Sequence, residues 1–305
     1  MSKKKGPTPY TFGAGFVQSR EVSRVIAAVD ELLDAGEPDG RLMKWTTGDA
    51  WAAFDLEWTP VRMWALTEPE VAVYALGPQG DFFFTSGGQN LQEQVDESDE
   101  GPANRGPLRD LRWIGSHFYA VGMSRQVYRR EKPGRWVHRD AGTVLKLGDK
   151  TIAGFNSIDG LSESEMTAVG FEGEIWKCTN GKWKQLSSPT NVVLNRHIVV
   201  KEGLSFAVGQ NGVLLRGDGD KWSQIDHGVT DDDLWGLTWF KGALYVASED
   251  RVYKLSGDSL DPIDMKLGRN RTCSDLHSND GVMWSFGPKH LAWTTDAKTW
   301  HDATP

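Results

Sequence analysis

The chain has 305 residues, with 34 Lys and Arg against 42 Asp and Glu, a formal charge of −8 and two cysteines, Cys178 and Cys273. That acidity opposes a general nucleic-acid surface and favours a basic partner, and two cysteines without motif spacing exclude a disulfide framework or a zinc knuckle. No apolar run reaches the roughly 18 residues of a membrane span, and the Lys-rich start lacks the apolar core of a secretory signal, so the sequence reads as cytoplasmic and membrane-free.

Residues 1–9 hold three Lys, two Pro and one Gly without periodicity and predict a disordered tail before a single domain over 10–305. Tyr10 to Val17 reads as a strand. Between Ser19 and Ala35, Val22, Val25, Ile26, Val29, Leu32 and Leu33 recur at three- and four-residue steps, with Ser19 as a cap and Gly36 past the end. This predicts an amphipathic helix over 19–35, with an extended segment as the competing reading.

From Leu42 onward the chain repeats. The clearest statement is Ala168-Val169-Gly170, Gly173-Glu174-Ile175-Trp176-Lys177, Gly181-Lys182-Trp183, restated as Ala207-Val208-Gly209, Gly212 to Arg216, Gly219-Asp220-Lys221-Trp222. Each unit is an apolar strand ending in Gly, a Gly turn, a further strand, and a turn that delivers a Trp. Equivalent third-strand positions are Leu42, Phe82, Val127, Ile175, Val213, Val252 and Leu291. The fourth strands open near Trp51, Leu91, Trp136, Trp183, Trp222, Asp261 and Trp300.

A period near 40 residues with four short strands per unit predicts an all-β, seven-bladed propeller of four-stranded antiparallel blades, the first modified by the helix. The blades are expected to close near Leu56, Val95, Arg139, Leu186, Ile225, Asp264 and Asp302, with the first strand of blade four near Thr151 to Phe155. The charged stretch Asp96 to Glu100 is expected to be solvated and mobile. Asn270-Arg271-Thr272 fits a glycosylation sequon but, without secretion, reads as a polar loop.

The recurring Gly and Trp positions resemble the bacterial neuraminidase-repeat, or Asp-box, propellers, and among these the photosystem assembly factor type. Thr294-Thr295-Asp296-Ala297-Lys298-Thr299-Trp300 carries the likeness best, although it lacks the Asp-box Gly and is one residue short; Trp45 to Trp51 is a looser echo. The resemblance implies a turn in which an Asp accepts backbone N–H bonds while the Trp wedges against a neighbouring blade. It implies fold and not chemistry.

A sialidase would need three Arg converging on a carboxylate beside a Tyr and a Glu. Arg62, Arg112, Arg196 and Arg271 lie near first strands, and the preferred reading is that they are solvated or salt-bridged. Cys273 and His277 lack metal-ligand geometry on a strand, and Asp218-Gly219-Asp220 reads as a hairpin turn, so neither metal nor cofactor is expected.

What remains is a loop face with acidic residues around aromatic anchors, which suits a protein partner. The candidate partner-binding residues are Asp231, Asp232, Asp233, Trp235, Asp96, Asp99, Glu100, Arg196 and Trp113, with Trp64 and Trp239 nearby. The sequence therefore reads as a monomeric, non-catalytic propeller that binds a basic protein, as an immunity protein against a toxin or as an assembly factor. The alternative is a glycan-binding or sialidase-like propeller.

Overall fold

Short apolar runs punctuated by Gly turns build seven antiparallel sheets of four strands each, in sequential order within every sheet. The computed structural model describes residues 8–268 and 271–305. Residues 1–7 of the tail expected over 1–9, and Asn270 of the sequon, lie outside them. The inner strands are Tyr10–Ser19, Arg62–Leu66, Leu108–Ile114, Phe155–Ser162, Leu194–Lys201, Gly236–Phe240 and Asp275–Asn279. Each lies beside its neighbours around a ring, and the first touches both the second and the seventh, so the ring is closed.

Because each blade is covered on both faces by its neighbours, the second strands are buried along nearly their whole length. Ala72–Leu76 and Val282–Gly287 expose none of their residues. The same geometry corrects the helix expected over 19–35. Val22–Val29 is the second strand of blade one, paired on one side with Tyr10–Ser19 and on the other with Gly40–Thr46, and none of its eight residues is exposed. A strand buried on both faces shows no alternation, and its β-branched residues happened to fall at helical steps. The helix is only Asp30–Ala35, in the turn between the second and third strands, ended by Gly36 in the left-handed conformation. Blade one is thus a complete four-stranded sheet.

A second correction concerns blade four, whose inner strand is Phe155–Ser162; Thr151 to Gly154 belong to the connection from blade three, where Ile152 is 66% exposed.

The recurring glycines have physical causes. A Cβ on Gly209 would lie 2.3 Å from the Val193 carbonyl oxygen, because the second strand passes against the entry to its own inner strand. Gly212 has φ +70°, and a Cβ there would lie 2.2 Å from the Thr230 oxygen. The tryptophans wedge against the preceding blade: Trp136 meets Phe82 edge-on at 5.0 Å, and Trp300 is buried among Phe240, Tyr245 and Val252. The turn before Trp300 is held by Asp296, whose Oδ1 accepts the N–H groups of Lys298 and Thr299 at 2.8 and 2.7 Å.

The ring closes without a strand shared between blades one and seven. Phe12, Val17, Met43 and Trp45 pack with Trp284, Phe286 and Leu291, and Trp45 meets Trp284 edge-on at 5.0 Å. The Asn279 side-chain amide donates to the Val17 and Gln18 carbonyls across this seam, and Lys289 Nζ reaches Asp30. A Cβ on Gly15 would lie 2.2 Å from the fully buried Phe286 ring. Gly15→Ala is therefore expected to lower stability by about 1–3 kcal/mol through overpacking of the seam, read from the denaturant midpoint.

Candidate partner-binding site

Two kinds of loop share one face of the ring: the connections from each outer strand to the next inner strand, and the turns between second and third strands. The first- and third-strand hairpins lie on the opposite face. On the connecting face, the loop after blade five is fixed locally. The Asp232 carbonyl accepts the Gly212 N–H at 3.0 Å, Asp233 Oδ1 accepts the Asn211 N–H at 3.0 Å, and Thr230 Oγ1 donates to Asp232 Oδ2 at 2.8 Å. These bonds turn an Asp triplet into a shaped rim, with Asp231 and Asp232 exposed and the Trp235 indole 42% exposed beside them.

An open groove runs between this loop and the second-to-third-strand turn of blade six, lined by Asp232, Asp233, Trp235, Ser248, Glu249, Asp250, Arg271 and Thr272. Among these lining residues Arg271 is the one cation, and it lies 3.8 Å from the Asp264 carboxylate. Four carboxylates around an exposed indole give the groove a negative, partly apolar lining, chemically complementary to cationic side chains carried on an apolar stem. The sequence reading missed Asp250 and the exposed acids Glu31, Asp34 and Glu37 on and after the Asp30–Ala35 helix. Their signal is weak: Glu249-Asp250 is a two-residue turn, and Glu31 and Asp34 fall inside the longer helix expected over 19–35, where they read as its solvent-facing side.

Other candidates are not brought to this groove. Asp96 is mostly covered, its Oδ2 3.0 Å from His138 Nε2 and its Oδ1 accepting the Ser98 N–H. Burial raises its carboxyl pKa, but these bonds outweigh that and hold it below the usual range. Glu100 pairs with Arg105, which also donates to the Leu145 carbonyl, and Pro102–Arg105 forms a short helix. The loop expected to be mobile is therefore fastened; of its acids, Glu97, Asp99 and Glu100 are exposed on the same face. Trp113 lies at the hairpin end of its strand, edge-on to Phe118 at 4.8 Å, on the opposite face from the acidic groove.

Arg196 is not on the rim at all. It projects into the channel, where Arg62, Arg112 and Arg196 do converge, each on a carboxylate. Arg196 Nη1 and Arg62 Nε lie 2.9 and 3.2 Å from Asp110 Oδ1, Arg62 Nη1 lies 3.0 Å from Asp275, and Arg112 grips Asp159 with two bonds of 2.9 Å. The carboxylates also accept backbone N–H groups: Asp110 from Ile158, Asp159 from Val199 and Asp275 from Leu276. This network ties five blades together at the hub. No Tyr is among the described residues lining the cavity there.

Two histidines share the hub. Burial pushes His277 down to about 3, with Arg112 adding to it, and burial pushes His197 down to about 4. His277 Nδ1 accepts the Val17 N–H across the seam, so it must be unprotonated to serve. A base whose folded pKa lies below its unfolded value near 6.5 contributes stability that is full above pH 6.5 and lost as pH falls toward 4 and 3.

Glu163 acts in the same direction at lower pH. Burial raises its pKa, but bonds from His117, Tyr119 and Ser116 prevail and hold it at about 2, so its contribution is lost as pH falls from 4.5 toward 2. Unfolding free energy is expected to be lower at pH 5 than at pH 7.5 by about 2–4 kcal/mol, with the dependence reduced in His277→Gln. Denaturant titrations at the two pH values check it.

No family model matches the sequence. The chain is 34% identical over 304 residues to the immune protein Tsi7 of Pseudomonas aeruginosa, across 98% of this chain and 99% of that protein. The chain belongs to the Tsi7 immune-protein family. As a Tsi7-family protein it keeps a propeller architecture with solved counterparts. YCF48 bound to D1 peptide superposes with a TM-score of 0.66 at 14% identity, over 93% of this chain and 91% of that one. The WD40 propeller of Doa1 gives 0.66 at 15% identity, over 94% and 96%. PorZ of Porphyromonas gingivalis gives 0.64 at 12% identity, over 98% of this chain but 38% of that one. At these identities the likeness is one of fold.

Among the described residues of this Tsi7-family chain, no helix is long and apolar enough to cross a membrane, and no group of His, Cys, Asp and Glu is arranged to hold a metal ion.

Proposed function

We propose that this protein is an immunity protein: a non-catalytic, monomeric propeller that neutralises a basic protein toxin by binding it through the acidic groove on its connecting face. Full-length relation to an immune protein supports the role. The observation that carries the site is four carboxylates, from Asp232, Asp233, Glu249 and Asp250, set around the exposed Trp235. Asp231 beside the groove, and Asp99 farther round the connecting face, add to the negative field that steers encounter with a cationic partner, whereas the charge of Glu100 is balanced by Arg105. YCF48, a propeller solved with a bound peptide, supports the use of this fold to hold a polypeptide.

In this reading Arg196 is a scaffold residue of the hub and Trp113 a packing residue of the opposite face. The Asp296 turn serves as an Asp-box-like structural device. Both cysteines are free and buried, which fits action in the cytoplasm. The test is calorimetric titration of the full chain with a purified candidate toxin of basic charge, at low and high salt. Stoichiometric binding that weakens as salt rises is expected; absence of binding overturns the reading.

A further inference from the structure

The channel holds a second concavity, on the side away from the acidic groove. A cavity of about 190 Å³ lies below the Arg–Asp network, with Phe16, Trp64, Trp239, Ile198 and His277 among its walls. Trp239, at the hairpin end of its inner strand, is 37% exposed and marks the mouth. Cavities with aromatic walls and a few convergent polar groups at one end are the usual form of a small-molecule site.

The polar end has more donors than acceptors. The three guanidiniums make four hydrogen bonds to the three carboxylates, leaving most of their N–H groups unspent. The carboxylates spend part of their accepting capacity on the backbone N–H groups of Ile158, Gly160, Val199 and Leu276. Arg62 Nε, 3.2 Å from Asp110 Oδ1, makes an ion pair but no aligned hydrogen bond, and both ring nitrogens of His197, a residue 2% exposed that lines the cavity, lack a hydrogen-bond partner. The hydrogen-bonding capacity of this end is thus incompletely used by the protein itself.

We propose that this cavity binds a small planar carboxylate, its flat body between the aromatic walls and its oxygens on the unspent donors of Arg62, Arg112 and Arg196. An acceptor pair matches a guanidinium fork, whereas an ammonium meets an end with few free acceptors. The site is separate from the acidic groove and does not depend on the toxin reading.

The test titrates the full chain with benzoate, and with benzylamine and benzyl alcohol as cationic and neutral controls of the same body, by protein-observed NMR. Saturable benzoate binding at least tenfold tighter than either control is expected, with shifts confined to hub residues. Trp239→Ala, at an exposed wall position, weakens it about tenfold with an unchanged melting temperature, and Arg112→Lys weakens it further. No saturable binding, equal binding of benzylamine, or benzoate affinity untouched by Trp239→Ala overturns the proposal; the first two are read on the unmodified chain and need no variant to fold.

Discussion

Asp110→Ala will destabilise this protein by about 3–5 kcal/mol, the largest effect expected of a single side-chain truncation at the hub. The Asp110 side chain is 4% exposed, lies within ion-pair distance of Arg62 and Arg196, and accepts the Ile158 N–H. One carboxylate thereby joins blades two, three, four and five. Removing it leaves two guanidiniums in a largely water-excluded hub with half their counter-charge and strips one backbone donor of its acceptor, and the cost of unpaired buried charge dominates. Asp110→Asn separates the contributions, since it keeps an acceptor oxygen for Ile158 while losing the charge. Its cost is expected to lie between that of Ala and zero. Urea denaturation followed by Trp fluorescence reads both, and a loss under 1 kcal/mol for Asp110→Ala would show that the hub pairs do not hold the ring.

The second large effect concerns binding. Combined Asp231→Lys, Asp232→Lys and Asp233→Lys is expected to weaken toxin binding by at least 100-fold while leaving the melting temperature within a few degrees. The change replaces three rim carboxylates by three ammonium groups, so a basic partner meets repulsion where it met attraction, and like charges set against one another cost several kcal/mol. Asp233 also accepts the Asn211 N–H, so part of any stability loss belongs to that turn. Trp235→Ala controls for this, because it removes an exposed anchor without touching the turn and is expected to cost about 2 kcal/mol of binding, roughly 30-fold. Full affinity in both variants would place the partner elsewhere on the ring.

How much of this was legible in the residues depended on whether the cause was local. The blades could be read because their punctuation answers to nearby backbone: Gly209 and Gly212 are demanded by carbonyl groups within about twenty residues, and a Trp returns at a fixed offset at Trp51, Trp136, Trp183, Trp222 and Trp300, with Leu91 and Asp261 in the other two blades. Val22–Val29 misled because burial on both faces erases the alternation that marks a strand, whereas the stop at Gly36 was correctly placed.

At the site, the Asp231 to Trp235 loop was visible as charge beside an indole. That Asp96 spends its charge on His138, 42 residues away, left no trace in the sequence. Nor did the pairing of Arg196 with Asp110 across 86 residues, which turns an apparent rim cation into part of the hub. Contacts between blades are set by ring closure, and local pattern carries no record of them.

Hydrogen exchange on the complex tests the central claim most directly. With the toxin bound, amides in residues 210–213, 230–235 and 248–251 should slow while those of the opposite hairpins, such as 115–117 and 241–243, keep their free rates. Protection confined to the hairpin face, with the 230–235 loop exchanging as in the free protein, would contradict the account.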